Sequence, residues 1–269
     1  MYQKDKETTD SLFFELAGDL RLSIIIKLSK HNYRLSHLAS ELGATMQEAH
    51  RNVTRLIDSG LIYKGSEGDL SLTAFGKSVV VLLPSYDFLL RYKQYFMEHS
   101  LDNLPQKFHQ RIGALENSEI IYGVMAILQR WKTLYSNSKS YIKEIMSQVP
   151  LDLIETVNNK INDGVKFSYI FSTNTIIPRG RGELLEKIGW QQLVSKGLVE
   201  RKMLENVQIV TIFNEKESCL LFPTLKGEPD LNVMFYSQST DFHEWCQDYF
   251  NYQWSIAGSF DEKKLKHET

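Results

Sequence analysis

The residues of this chain whose types and spacing point to definite chemistry are polar and basic side chains between positions 45 and 64. They are Thr45, Gln47, His50, Arg51, Thr54, Arg55 and Lys64. In a DNA major groove, paired hydrogen bonds join glutamine to adenine and arginine to guanine, and Gln47 and Arg51 are suited to these roles. His50 could donate to either base, and the other four are of types that contact the phosphate backbone. These residues predict an interface for double-stranded DNA.

The surrounding pattern predicts the element that presents them. Apolar residues spaced three and four apart predict two short helices, residues 35–42 and 45–60, and a glycine ends each of them. Two apolar runs, 61–63 and 70–72, enclose a polar turn and predict a β-hairpin, after which another helix begins near Thr73. This order is typical of a winged helix-turn-helix, whose second helix enters the major groove. The inward face of that helix is expected to hold Ala49, Val53, Leu56 and Ile57.

The charge of this region supports DNA binding only weakly. The net charge of the chain is −2, and between Lys30 and Lys64 five lysines and arginines stand against three acidic residues. Because affinity for DNA depends on phosphate neutralisation, two copies of the chain on a two-fold site are expected. Two alternatives stay open. Arg51 and Arg55 could form a solvated helix face, or the winged helix could bind a protein partner instead of DNA.

Composition and length place the chain among ordinary globular proteins. Its 269 residues are enough for two domains, with 42% hydrophobic and 24% charged residues. The sequence has no run of 18 apolar residues and no basic-then-apolar leader, so no membrane span and no signal peptide are expected. Cys219 and Cys246 are the only cysteines, which favours a reducing cytoplasm over a disulfide framework.

The whole chain is expected to have a mixed α/β fold in four parts. Residues 1–78 are assigned to the winged helix-turn-helix, including one dense apolar helix between Ser11 and Ser29. Residues 79–138 are expected to form a helical linker, broken or kinked at Pro84, and the helices between Ala74 and Ser100 are expected to form a homodimer. Residues 139–258 are assigned to an α/β effector domain, and residues 259–269 to a polar tail.

The effector domain is predicted from an alternation of strands and helices. Strands are expected at residues 140–148 and 165–173, followed by helices at 149–164 and 181–197 respectively. Four further strand candidates precede a last helix that begins near Thr240. Such alternation is typical of a sheet covered by helices. Between 115 and 140 the apolar spacing predicts one more helix.

Five residues near the predicted strand ends are candidates for a ligand site. They are Ser147, Thr173, Arg179, Arg181 and Arg201. Ligands of open α/β sheets bind in the crevice beyond the strand ends, and arginines there suit an anion such as a carboxylate or phosphate. The alternative is a solvated basic loop.

Several segments carry a resemblance to known regulators. The segment 10–80, including the stretch LTAFG after the hairpin, is similar to ArsR and MarR regulators. The stretches LDNLPQKFHQRIGAL, 140–164, FNEKESCLLFPTLKGEPD and WCQDYFNYQW resemble archaeal winged-helix regulators with a methanogenesis-regulator middle domain. That domain is related to the phospholipase-D-like effector domain of TrmB-type regulators. The resemblance implies a transcription factor whose second domain senses a small molecule or a partner. Members usually carry aspartate near Asn214, and the cysteine-rich box of ArsR metal sensors is absent here.

Catalytic and metal-binding motifs are not found. Phospholipase D chemistry needs a histidine with lysine two residues on, and none of the seven histidines has it. The sequence also lacks glycine-rich phosphate loops and a nucleophile-elbow serine. His243 and Cys246 could form half a metal site, but a surface histidine beside a buried cysteine is favoured. No enzyme, cofactor or metal is therefore expected, with a sensor or adaptor that binds protein, or a phospholipase-D-like enzyme, as alternatives.

Overall fold

A computed structural model describes residues 8–148 and 150–267, the side chain of His267 excepted. The chain divides into an N-terminal unit that ends at Tyr86 and a C-terminal unit that begins at Asp87. From residue 9 to residue 91 the elements follow the order helix, helix, short strand, helix, helix, hairpin, helix, and the last of these helices continues past Tyr86. They are α1 Thr9–Leu16, α2 Asp19–Leu28, β1 Tyr33–Arg34, α3 Leu35–Glu41, α4 Met46–Asp58, β2 Ile62–Lys64, β3 Asp69–Leu72 and α5 Ala74–Arg91.

The predicted helix-turn-helix and hairpin are confirmed in their order and lengths. Helices α3 and α4 are joined by a short turn at Gly43, and β2 and β3 pair antiparallel as the wing. The short strand β1 adds to the other edge of β3. Side chains of α2, α3 and α4, among them Ile24, Leu38 and Leu56, are fully buried in one apolar cluster with the wing. This cluster fixes the direction in which α4 presents its outer face.

The single helix expected between Ser11 and Ser29 is instead two helices. The chain turns at Gly18, where an added Cβ would lie 2.5 Å from the guanidinium carbon of Arg21. Arg21 folds back onto the end of α1 and donates to the backbone carbonyls of Glu15 (2.7 Å) and Phe14 (2.8 Å). Arginine satisfies the free carbonyls of a helix end in this way. Helix α1 therefore ends at Leu16, although the helical spacing of apolar residues continues beyond it.

The inward face of α4 differs from the prediction at one residue. Ala49, Val53 and Leu56 are buried, but Ile57 is 37% exposed. The position inside is taken by Asn52, whose side-chain amide donates to the backbone carbonyl of Glu48 (2.8 Å). A polar side chain can take this buried position because its amide finds a hydrogen-bond acceptor within the same helix.

Helix α5 continues through Pro84, which neither breaks nor ends it. The first compact unit ends at Tyr86, eight residues beyond the expected boundary at 78, because this helix extends the N-terminal unit. Val81, Leu82 and Tyr86 on the helix are more than half exposed.

The C-terminal unit contains a nine-stranded mixed sheet in the described residues. Its order is β11-β7-β6-β5-β8-β9-β10-β4, with β12 paired beside β6. Strands β5, β6 and β7 run parallel, and the path from β5 to β4 is antiparallel. The strands are β4 Glu119–Tyr122, β5 Tyr141–Gln148, β6 Lys166–Ile177, β7 Val199–Leu204, β8 Val210–Asn214, β9 Ser218–Leu221, β10 Val233–Ser237, β11 Gly258–Ser259 and β12 Lys266–His267.

Helices cover this sheet, as the alternation of elements predicts. Helix α9 connects β5 to β6, and α10 and α11 connect β6 to β7. The helices are α6 Lys93–Phe96, α7 Gln106–His109, α8 Val124–Asn137, α9 Leu151–Asn162, α10 Arg181–Lys187, α11 Trp190–Ser195 and α12 Thr240–Ile256, with 3₁₀ turns at Ile112–Leu115 and Glu262–Lys264. The mixed α/β fold class is thus confirmed.

Three expectations about this unit need correction. The segment 79–138 is not a separate helical linker, because Phe108 and Trp131 are buried in the core of the sheet domain and β4 forms its edge. The helix predicted over 115–140 begins only after Gly123, whose φ of 91° ends the strand. The polar tail at 259–269 contributes strand residues and the buried Leu265 to the same unit, so it is not a free tail where the structure describes it.

The helix expected at 181–197 is also divided. Gly189, with φ of 70°, separates α10 from α11. The turn places Trp190 under the sheet, where only 4% of its surface is exposed. Within the described residues no helix combines the length and apolar composition needed to cross a membrane.

Candidate nucleic-acid interface and ligand pocket

The start of α4 is fixed by a reciprocal cap. The Thr45 hydroxyl accepts a hydrogen bond from the backbone N–H of Glu48 (3.2 Å), and the Glu48 carboxylate accepts one from the backbone N–H of Thr45 (3.0 Å). This capping box satisfies two free donors of the first turn. The hydrogen bonds from Thr45 hold the pKa of Glu48 below its ordinary value. The first turn therefore carries a negative charge beside the residues expected to contact DNA.

The outer face of α4 presents the residues predicted to read bases. Gln47, His50 and Arg51 are exposed, and within the described part of the chain none of them has an ion-pair partner. Thr54 is exposed but its hydroxyl donates to the backbone carbonyl of His50 (3.0 Å). The three exposed side chains are free to contact a partner along the first two turns of the helix.

Arg55 is held in a different arrangement. Its Nη2 lies 2.5 Å and its Nε 3.1 Å from the two carboxylate oxygens of Glu15. The guanidinium also lies 5.2 Å from the centre of the Phe14 ring. This fork of hydrogen bonds joins α1 to α4, so Arg55 has a structural partner before any phosphate is present.

The wing adds little free positive charge. Lys64 is exposed at the end of β2, whereas Arg34 lies 3.6 Å from the Asp69 carboxylate. With Arg34 and Arg55 both paired, the basic residues of this region without an acidic partner in the described part of the chain are Lys30, Arg51 and Lys64. The surface is therefore less basic than the sequence count indicates.

A second feature lies in the C-terminal unit, on one face of its parallel strands. Strand register places Glu144 of β5, Tyr169 of β6 and Arg201 of β7 side by side in one row. Because side chains alternate across a strand, Phe167 and Phe171 share this face with Tyr169. Helices α9, α10 and α11 lie over the row, and a cavity remains between them and the sheet.

Arg181, in the first turn of α10, lines this cavity and is only 7% exposed. In the described part of the chain it forms no ion pair, and its Nε has no hydrogen-bond partner. Burial lowers its pKa, partly offset by the neighbouring Tyr169 and Glu262. Burial likewise raises the pKa of Tyr169. A buried guanidinium without a carboxylate is costly to the fold.

Glu144 is the acidic group of the same cavity. Its carboxylate accepts a hydrogen bond from the Tyr135 hydroxyl (2.6 Å), and the residue is 5% exposed. Burial raises the pKa of Glu144 to about 7, although the hydrogen bond from Tyr135 opposes the shift. A substantial fraction of this carboxyl is therefore protonated at neutral pH.

The five predicted ligand residues do not converge on one site. Arg181 and Arg201 both approach Tyr169, but Arg201 forms an ion pair with Glu262 (2.6 Å). Ser147 borders a separate hollow, and the Thr173 hydroxyl donates to the backbone carbonyl of Glu205 (3.0 Å). The fifth residue, Arg179, is exposed and does not line the cavity.

Sequence reasoning missed the residues that complete the cavity. Glu144, Tyr169 and Trp190 come from two strands and a helix. One signal was present in the sequence, since Glu144 alternates with the apolar Ile142 and Met146 along its strand, and charged residues are almost never fully buried without a reason.

The other candidate residues have ordinary structural partners. The His243 ring lies between the Tyr141 hydroxyl (3.0 Å) and the Ser218 hydroxyl (2.9 Å), and burial lowers its pKa. Cys246 is buried with a free thiol. Among the described residues no group of three or more histidine, cysteine, aspartate or glutamate side chains is arranged to hold a metal ion.

No family model matches the chain, and no curated protein matches it. Solved structures do. TrmBL2, described as an archaeal chromatin protein with a novel mode of DNA binding, matches 94% of this chain over all of its own at 11% identity and a TM-score of 0.43. Nuc from Salmonella typhimurium, a phospholipase D family member, matches 54% of this chain over 98% of its own at 10% identity and a TM-score of 0.40. A riboflavin-derivative dimethyltransferase, RosA from Streptomyces davawensis, matches 72% of this chain over 63% of its own at 11% identity and a TM-score of 0.24.

With TM-scores below 0.5, these similarities assign neither a ligand nor an activity to the chain. They do correct one expectation. The prediction that the chain is not an enzyme does not stand, because a phospholipase D family member and a methyltransferase are among the structures it matches.

Proposed function

We propose that this protein is a DNA-binding transcription regulator of the ArsR/MarR-like winged-helix type, in which α4 enters the major groove. The observation that carries the proposal is the exposed face of α4. Gln47, His50 and Arg51 project from it without ion-pair partners in the described part of the chain, while the opposite face is buried. Side chains in the first turns of a recognition helix reach base edges. Thr45, Thr54, Arg55 and Lys64 are assigned to the phosphate backbone as part of the same proposal.

The regulator is proposed to act in the cytoplasm as a homodimer. Between Lys30 and Lys64 the described basic residues without an acidic partner are Lys30, Arg51 and Lys64, so this surface of a single copy offers few phosphate contacts. Helix α5, which follows the wing, exposes Val81, Leu82 and Tyr86, and the large apolar side chains of a lone surface helix favour contact with a second copy. The C-terminal unit is proposed to hold the site for a small-molecule effector.

Replacing Arg51 by alanine is expected to relax discrimination at one base position by about 1 to 3 kcal/mol, because a bidentate contact with guanine is lost. Replacing Arg55 by alanine is expected to weaken binding to all DNA sequences alike. Arg55 is assigned to a contact with the phosphate backbone, and its ion pair with Glu15 supports α4. Binding is measured by selecting from a pool of genomic fragments and then titrating the selected site and its single-base variants.

The control is Arg111→Ala, which removes an equal charge from an exposed ion pair with Asp248 in the C-terminal unit and should leave binding unchanged. If Arg51→Ala and Arg55→Ala both bind the selected site and its variants as the wild type does, α4 does not lie in the groove.

A second candidate function is supported by the paired state of Arg34 and Arg55. With little free positive charge and with Met46 and Tyr63 about half exposed nearby, the same surface could bind a protein. The salt dependence of DNA binding separates the two functions, because contacts with phosphate impose a steep loss of affinity with salt.

A further inference from the structure

Strand β4, at one edge of the nine-stranded sheet, has backbone groups without partners. It pairs with β10 on one side, and no described strand lies on its other side. The backbone N–H of Gly123 donates to the carbonyl of Asn232 (2.8 Å), the residue opposite it when the register is continued. The odd-numbered residues of β4 therefore direct their backbone groups toward β10, and Ile120 and Tyr122 direct theirs outward. Within the described residues no backbone group bonds these outward N–H and C=O groups.

This edge lacks the devices that usually protect an open strand. Proteins prevent unwanted pairing with very short edge strands, charged side chains, proline or bulges. The opposite edge has two of them, because β11 is two residues long and five of the residues 261–266 are charged. In contrast, β4 pairs regularly with β10 over four residues and contains no proline. Between residues 117 and 129 only Glu119 is charged, and Arg130 of the same chain lies 4.0 Å from it.

Large apolar side chains are exposed beside the open edge. Tyr122, at the end of β4, is 68% exposed, and Val124 and Met125, in the first turn of α8, are 42% and 79% exposed. Exposed apolar groups that are close together mark interaction sites. Tyrosine and methionine are enriched in the centres of protein interfaces, and charged residues are depleted there. The partner that fits this edge is therefore an extended strand with apolar side chains and no net charge.

A second copy of β4 meets these requirements. A two-fold axis beside Ile121 places the two strands antiparallel, with Ile120 of each copy opposite Tyr122 of the other. Both residues direct their backbone groups outward, so each such pair can exchange N–H···O=C bonds in both directions. Pairs of aromatic and β-branched side chains across strands are favourable. The two Glu119 carboxylates lie at opposite ends of the paired segment, so like charges do not face each other.

We propose that β4 pairs with β4 of a second copy of this chain, which joins the two sheets into one continuous sheet. Tyr122, Val124 and Met125 are covered at this contact. The inference goes beyond the proposed function, because the contact requires no DNA and is separate from the one proposed for α5.

The first test is a disulfide across the two-fold axis in the full-length protein. In the proposed register the two copies of residue 121 form a non-hydrogen-bonded pair with Cα atoms about 4.5 Å apart, which a disulfide can span. Cys219 and Cys246 are fully buried, so they should not react. Oxidation of Ile121→Cys by diamide, which takes up the two thiol hydrogens, is expected to link most of the protein into dimers that dithiothreitol separates.

Met125→Cys is the control for random collision. This side chain is the more exposed of the two, but in the proposed register it lies away from the axis, beyond the about 7 Å between Cα atoms that a disulfide allows. It should remain mostly unlinked under the same conditions. Equal linking of both variants, or no linking of Ile121→Cys, overturns the proposed pairing.

The second test is the mass in solution, measured by light scattering at tens of micromolar. Tyr122→Lys places a charge at the contact in both copies, and because the side chain is mostly exposed the fold should be kept. Its mass should be half that of the wild type, whether or not α5 forms a further contact. Ile256→Lys, at an exposed apolar residue of α12, is the control and should keep the wild-type mass.

A monomeric wild type, or a Tyr122→Lys variant with the wild-type mass, contradicts pairing through β4. Should Ile121→Cys not fold, the mass of Tyr122→Lys still decides. DNA binding measured in parallel distinguishes the two proposals. Loss of the β4 contact with DNA binding retained overturns this inference alone, whereas linked dimers that bind no DNA support it and overturn the proposed function.

Discussion

Replacing Gly76 by alanine is expected to destabilise the N-terminal unit by about 3 kcal/mol, near the upper end of the cost of overpacking. A Cβ at this position would lie 2.0 Å from the backbone carbonyl oxygen of Leu61. No side-chain rotation relieves a contact with backbone, so α5 must shift away from the wing. The same loop depends on Thr73, whose hydroxyl accepts from the Gly76 N–H (2.9 Å) and donates to the Gly60 carbonyl (2.6 Å).

The two units give separate signals in this experiment. All four tryptophans follow Asp87, so tryptophan fluorescence reports the C-terminal unit, whereas far-ultraviolet circular dichroism reports the helices of both. Gly76→Ala should move the dichroism transition to lower urea and leave the fluorescence transition in place. Gly182→Ala, where an added Cβ meets nothing within 4 Å, is the matched control and should cause no destabilisation. An unchanged dichroism midpoint in Gly76→Ala would show that α5 does not pack on the wing as described.

Replacing Glu144 by glutamine is expected to flatten the pH dependence of the stability of the C-terminal unit. In the folded protein the pKa of this buried carboxyl is raised to about 7 from an ordinary 4.5. A raised folded pKa means that its contribution to stability is complete below pH 4.5 and is lost as the pH rises through 7. Over that window the wild type should lose about 3 kcal/mol of unfolding free energy.

Glutamine carries no titrating proton and can still accept the hydrogen bond from Tyr135. Glu144→Gln should therefore match the wild type near pH 5 and exceed it in stability near pH 8, as measured by urea unfolding followed by tryptophan fluorescence. Glu155→Gln, on the exposed side of α9, is the control, and its unfolding free energy should change with pH as that of the wild type does. If the unfolding free energies of the wild type and Glu144→Gln changed equally with pH, the Glu144 carboxyl would not be buried as described.

The winged helix could be predicted from the sequence because its signals are local. Caps, glycine turns and the three-and-four spacing of apolar residues all act within one or two turns of helix, as Thr45 and Glu48 illustrate. The break at Gly18 could not be predicted, because it depends on where the Arg21 side chain packs. The pairing of Arg55 with Glu15 joins residues 40 positions apart, so patterns that span one or two helical turns cannot predict it.

The ligand cavity was predicted only in part for a related reason. An arginine-rich loop near a strand end is visible in the sequence, and one of its members, Arg181, does line the cavity. Which residues meet it depends on strand register. A shift of one residue between β5 and β6 would turn Glu144 to the other face of the sheet. The expected helix over 115–140 was wrong in its first part for a similar reason, since residues 119–122 form β4 by pairing with the distant strand β10.

The central claim is that the face of α4 with Gln47, His50 and Arg51 binds the phosphate-lined groove of DNA. Its most direct test is the salt dependence of binding, measured by fluorescence anisotropy with a selected duplex. For about six phosphate contacts from two copies, the logarithm of affinity should fall linearly with the logarithm of salt with a slope of about −5. Removing Arg51 from both copies should make that slope shallower. Binding that does not change between about 50 and 200 mM salt, or no binding at the lower value, would contradict a DNA interface and favour a protein partner.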